Sequence, residues 1–138
     1  MKKLLFVVDP LDQFKVYKDT TFSIMREAQW RGYLIAACLP QDIQWKSGGF
    51  VMATVQQISL TGSQPGWYRV HNTMRMALKD FDAVLMRKDP PFNAEYIYAT
   101  HLLEQAERED GNVVNRPRAL RDHPEKLAIM EFPELVPP

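Results

Sequence analysis

The chain has 138 residues, 46% of them hydrophobic, and its 17 basic and 17 acidic side chains cancel. That length suits one globular domain with a buried core, and balanced charge without runs leaves no footprint for nucleic acid or an anionic membrane, pointing instead to a small-molecule or protein partner. A single cysteine, Cys38, excludes an internal disulfide, and the apolar stretch Leu4 to Val8 is too short for a signal peptide or a membrane span, so a reducing, cytoplasmic setting is the expectation.

Leu4 to Val8, closed by Asp9-Pro10, is a continuous apolar run and reads as a strand covered on both faces. Asp19 and Thr20 then offer N-cap oxygens to a helix whose Thr21, Ile24, Met25 and Ala28 share one face at i, i+3, i+4 and i+7, and Gly32 ends it as the left-handed residue. Leu34 to Leu39, stopped by Pro40, is a second covered strand. Strand, helix and strand at this spacing form a right-handed βαβ unit with parallel neighbours.

Ile43 to Lys46 and Phe50 to Leu60 flank Ser47-Gly48-Gly49, a hairpin signal, with alternation through Val51, Ala53 and Val55; an inserted antiparallel ribbon is expected. A loop over 62–66 leads to a short strand from Trp67 to Val70. Ala83 to Arg87 is another apolar strand. Asn93 caps a helix running to about Asp110, with Tyr96, Ala99, Leu103 and Ala106 inward and Gly111 closing it, and Val113-Val114 makes a last short strand. Pro117 opens a helical turn, Pro124 starts a short helix to about Glu131, and Phe132 to Pro138 reads as a linker. Alternating strands and helices define an α/β domain with a mainly parallel sheet.

In such a sheet ligands sit beyond the carboxyl ends of the strands, so the loops after Val8, Arg87 and Val114 are the places to seek function. Met86-Arg87-Lys88-Asp89-Pro90-Pro91-Phe92 sets two cations and a carboxylate beside a rigid Pro-Pro step, suited to an anionic substrate; a solvated charged loop before a helix is the plainer reading. Asp19 and Thr20, with Lys18 beside a helix start, are candidate substrate contacts, although capping alone accounts for them. Cys38, within Leu-Ile-Ala-Ala-Cys-Leu, reads as a small buried hydrophobe. His71, His101 and His123 lack metal-ligand spacing, so no metal site is expected in this chain, and Trp30, Trp45 and Trp67 read as core or interface packing. No Gly-rich dinucleotide fingerprint or Walker A string is present.

The Met86 to Phe92 string, followed by Glu95-Tyr96-Ile97-Tyr98-Ala99-Thr100 and Leu103-Glu104, resembles bacterial glutathione synthetase. Val114-Asn115-Arg116-Pro117, Leu120-Arg121-Asp122 and Glu125-Lys126-Leu127 downstream, and Asp9-Pro10, Lys18-Asp19-Thr20-Thr21-Phe22 and Glu27-Ala28-Gln29 with Arg31-Gly32 upstream, extend the similarity over nearly the whole chain, most weakly between Gln41 and Asp80. The resemblance implies a Rossmann-like, three-layer pre-ATP-grasp domain, with residues 1–122 as the N-terminal substrate domain and 123–138 starting a linker to an ATP-grasp portion. It implies a ligase that joins γ-glutamylcysteine to glycine, making glutathione, with ATP and Mg2+ through an acyl phosphate. Arg87 is then the best candidate for holding a substrate carboxylate and Lys126 for contacting ATP, within a cytoplasmic homo-oligomer. The magnesium ligands and the glycine site of that family fall beyond the equivalent of Pro138, so these 138 residues alone are expected to be inactive. A stand-alone, non-catalytic binding or interaction module of the same fold is the alternative.

Overall fold

A computed structural model describes residues 1–14, 20–62, 66–88 and 94–114. Within them lie two α-helices and a mixed sheet of seven strands. Strand β1 (Lys3–Val7) is central because it is apolar on both sides, and its two neighbours, β2 (Leu34–Cys38) and β6 (Ala83–Met86), are both parallel to it. Register runs Leu4↔Ile35 on one side and Leu4↔Ala83 on the other, and β7 (Val113–Val114) continues the parallel set beside β6.

The ribbon is part of the sheet rather than an appendage. Strand β4 (Met52–Leu60) takes the outer edge of β2 antiparallel, at Ile35↔Ile58 and Ala37↔Gln56, while its first residues pair with β3 (Ile43–Gln44) at Ile43↔Ala53. The order is β3-β4-β2-β1-β6-β7, with β5 (Tyr68–Ala77) on the far side of β4. The expectation of a mainly parallel sheet is therefore corrected. Three parallel pairings among β1, β2, β6 and β7 are matched by three antiparallel pairings, all made by β4, because β2 is flanked by a hairpin strand instead of another βα unit.

Alternation along β1 divides the core. Leu4, Phe6 and Val8 pack with Ile24, Met25 and Ala28 of α1 (Thr20–Trp30), whereas Leu5 and Val7 pack with Tyr96, Ala99, Leu103 and Ala106 of α2 (Ala94–Arg108). One helix thus covers each face of the parallel strands. Each fully buried Leu, Phe or Val there contributes about 1.5–3 kcal/mol.

The helix ends follow from backbone chemistry. Gly32, at φ +82°, is the left-handed residue after α1; its N–H donates to Gln29 O at 2.9 Å and that of Tyr33 to Ala28 O at 3.0 Å, the paired bonds of a Schellman motif. After α2 the same motif uses Asp110, at φ 73°, and not Gly111 as expected. Gly111 is needed one residue later, where its N–H meets Ala106 O at 2.8 Å and an added Cβ would sit 2.7 Å from that carbonyl oxygen. Gly111→Ala should therefore displace backbone and cost about 1–3 kcal/mol. An unchanged urea midpoint for that variant would contradict the close approach.

Two further expectations change, at β5 and at Thr20. The strand expected from Trp67 to Val70 starts at Tyr68 and runs to Ala77, pairing along β4 with a bulge opposite Gln57/Ile58. Trp67 is core, but Trp30 and Trp45 are 81% and 44% exposed. Thr20 is the first helical residue of α1 and is exposed, so it is not the residue before the helix. The expected cap Asp19, the cap Asn93, the helical turns at Pro117 and Pro124, and the boundary between 1–122 and 123–138 lie outside the described residues.

Candidate functional site

The strand order reverses at β1: the chain leaves it toward β2 on one side and returns through β6 on the other. At such a switch point the carboxyl ends of two neighbouring strands diverge and leave a crevice. Here the residues that leave the switch point are Val8-Asp9-Pro10 after β1 and Arg87-Lys88 after β6. The backbone N–H of Arg87 donates to Val7 O at 2.8 Å, so the ladder still holds at the point where the loop begins.

The two cations part at this point, as strand alternation requires. Ala83 and Leu85 face α1, and Arg87 follows them: its Nε–H donates to Thr21 Oγ1 at 3.0 Å. Both side chains are buried, Arg87 at 7% and Thr21 at 5% exposure. Val84 and Met86 face α2, and Lys88 follows them. Its Nζ lies 2.7 Å from Asp9 Oδ1, and both side chains are partly buried, so Lys88 ties the ends of β1 and β6 together. A Lys88 pointing freely into solvent, which a plain charged loop would give, is not what forms.

A neighbouring cleft of about 390 Å³ lies beyond β1 and β2 under the ribbon, and its lining includes Asp9, Asp12, Asp42, Cys38, Tyr68 and Gln56. Its carboxylates are engaged locally. Tyr68 OH donates to Asp12 Oδ1 at 2.7 Å, and the Leu39 N–H donates to Asp42 Oδ2 at 2.8 Å. The bond to Asp12, then burial and the carboxylate charge, raise the Tyr68 phenol above its usual range. Burial, with a smaller contribution from Asp42, raises the Cys38 thiol far above its ordinary value. Cys38 is thus a protonated, inert core group and no nucleophile.

An aromatic clamp holds residues 11–14, which follow β1. Trp67 stacks on Phe14 at 5.2 Å, meets Phe22 edge-on at 5.4 Å and Tyr68 at 4.9 Å, and donates its indole N–H to Leu11 O at 3.2 Å. The ribbon therefore fixes the loop that leaves β1.

Of the residues singled out in the sequence, Arg87 lies at the crevice and Thr20 at the exposed start of α1, while Asp19 and Lys126 lie outside the described residues. Thr21, not Thr20, meets Arg87. Sequence reasoning treated Thr21 only as an inner-face helix position and did not pair Lys88 with Asp9. The available signal was alternation, which sets 83, 85 and 87 on one face and 84, 86 and 88 on the other. Among the described residues no group of three His, Cys, Asp or Glu side chains is arranged to hold a metal ion, and no helix is long and apolar enough to cross a membrane.

Residues 2–121 match the sequence profile described as prokaryotic glutathione synthetase, N-terminal domain. The chain is 50% identical over 136 residues to the glutathione synthetase of Ralstonia nicotianae, covering 99% of this chain and 42% of that protein. Identity is 47% over 139 residues with the glutathione synthetase of Nitrosomonas europaea and 45% over 137 residues with that of Vibrio cholerae, each match covering 99% of this chain and 43% of the relative. The chain thus spans less than half the length of these relatives.

Proposed function

Since the chain belongs to the prokaryotic glutathione synthetase N-terminal domain family, we propose that its enzyme joins γ-glutamylcysteine to glycine, and that this domain holds the dipeptide through Arg87. The observation that carries the reading is a guanidinium buried at the switch point of the sheet. The planar fork of Arg87 matches a carboxylate or acyl phosphate through paired, charge-assisted hydrogen bonds, a geometry that an ammonium lacks.

In this reading the domain is Rossmann-like, of pre-ATP-grasp type, with residues 1–122 forming it and 123–138 leading toward an ATP-grasp portion. Asp19 and Thr20, at the start of α1, are further substrate contacts, and Lys126 contacts ATP. When bound, ATP supplies the phosphoryl group that activates the cysteinyl carboxylate, with magnesium neutralising the developing charge. In this reading the domain's share is to bind and orient the dipeptide. The enzyme acts as a cytoplasmic homo-oligomer. A stand-alone binding module is not favoured, because relatives matched along 99% of the chain bear the enzyme's name.

The test compares the full-length protein with a polypeptide of residues 1–138. With γ-glutamylcysteine, glycine and ATP-magnesium, the full-length protein is expected to form glutathione and the polypeptide to form none. Phosphoryl transfer depends almost wholly on metal ions and a phosphate clamp. A full-length protein inactive on γ-glutamylcysteine overturns the reading. Turnover by residues 1–138 alone overturns the division of labour.

A further inference from the structure

We propose that Thr21 is a positioning residue for substrate capture: its hydroxyl, by accepting the Arg87 Nε–H, sets the direction in which the guanidinium presents its terminal N–H groups at the β1–β6 crevice. The inference rests on the reading above that Arg87 holds an anionic group of the substrate.

The bond is 3.0 Å long, spans 66 residues and joins two buried side chains, one in the first turn of α1 and one beyond the end of β6. Arginine is a donor only, so the hydroxyl must accept here. Nε is the guanidinium nitrogen joined to the aliphatic stem. Holding its proton fixes rotation of the plane about the last side-chain bonds, and with it the directions of the two terminal nitrogens. A threonine suits this task because its branched side chain is stiff at χ1. Its own position is set by the helix, where it shares the inner face with Ile24, Met25 and Ala28 against β1 and β2. The geometry of the guanidinium is in this way referred to the rigid core.

Packing alone would also bury Thr21, and the experiment separates the two roles. In the full-length enzyme, Thr21→Val keeps the shape and removes the acceptor, whereas Thr21→Ser keeps the acceptor and removes a methyl group. Thr21→Val is expected to raise KM for γ-glutamylcysteine about 5- to 20-fold, with kcat and KM for ATP and glycine changed less than about twofold; Thr21→Ser should stay within about twofold throughout. If Thr21→Val does not fold, Thr21→Cys, a poor acceptor of similar size, takes its place and should show the same KM effect. Arg87→Ala is measured alongside. If it impairs the enzyme while Thr21→Val leaves KM unchanged, Thr21 does not position Arg87. If Thr21→Ser is as impaired as Thr21→Val, the methyl packing is responsible and the proposal is wrong. If Arg87→Ala is without effect, the reading of Arg87 itself falls, and this inference falls with it.

Discussion

Arg87→Ala in the full-length enzyme is expected to lower kcat/KM for γ-glutamylcysteine by roughly 30- to several-thousand-fold, equivalent to about 2–5 kcal/mol for a contact whose partner charge is buried. Lys88→Ala, one residue away, should cost less than about fivefold. Its ammonium is held by Asp9 on the other face of the sheet, and a partly exposed pair of this kind is worth roughly 0–1 kcal/mol. Arg87→Ala also leaves the Thr21 hydroxyl buried beside a void, so stability must be measured with the kinetics. Arg87→Lys serves as the internal control: it restores charge without the fork or the Nε–H, and should recover only part of the loss. Equal losses for Arg87→Ala and Lys88→Ala, at equal folded fractions, would assign the substrate to the wrong face of this loop.

The largest effect on stability is expected at Trp67. Trp67→Ala removes a buried indole that touches three rings and takes from the Leu11 carbonyl one of its two donors, the other being the Phe14 N–H, at a cost of about 3–5 kcal/mol. For a domain of this size that is roughly 10–20 °C in Tm. Trp67→Phe should lose less, since it keeps most of the stacking and gives up only the indole N–H and some volume. The readout is convenient because Trp30 and Trp45 are already in contact with solvent. The shift of tryptophan emission on unfolding should come mainly from Trp67 and be largely absent in Trp67→Phe. A Trp67→Ala variant within about 1 kcal/mol of the parent would show that the clamp contributes little.

The central strands were legible because they are covered on both faces: Leu4 to Val7, Leu34 to Cys38 and Ala83 to Met86 are unbroken apolar runs. The helices were legible from their inner faces, and the hairpin from Gly48, which does adopt a positive φ of 83°. Strand β5 was not. Residues Arg69 to Thr73 and Arg75 are exposed, so no buried face imprints alternation on that stretch; only pairing with β4 makes it a strand. The end of α2 was misassigned for a related reason. Glycine marks both the left-handed position and a close approach of backbone to backbone, and composition does not distinguish Asp110-Gly111 with either residue left-handed. At the site, Arg87 stood out by its residue type and place. Its link to Thr21 did not, because the contact joins elements 66 residues apart and depends on which neighbours flank β1.

The central place of β1 bears on how the domain is made. It is the first strand in the chain, yet it lies between β2 and β6, and its last contact at the crevice, Asp9 with Lys88, spans 79 residues. At a synthesis rate of about 5–20 residues per second, a gap of that length leaves one edge of β1 open for roughly 4–16 s after the strand itself has been made. A nascent chain holding β1, α1, β2 and the ribbon would present that edge, with Leu4 to Val7 beside it, as an unpaired apolar strand. Protease resistance should therefore appear in a single late step as β6 emerges, and slowing translation before Ala83 should favour aggregation over soluble product.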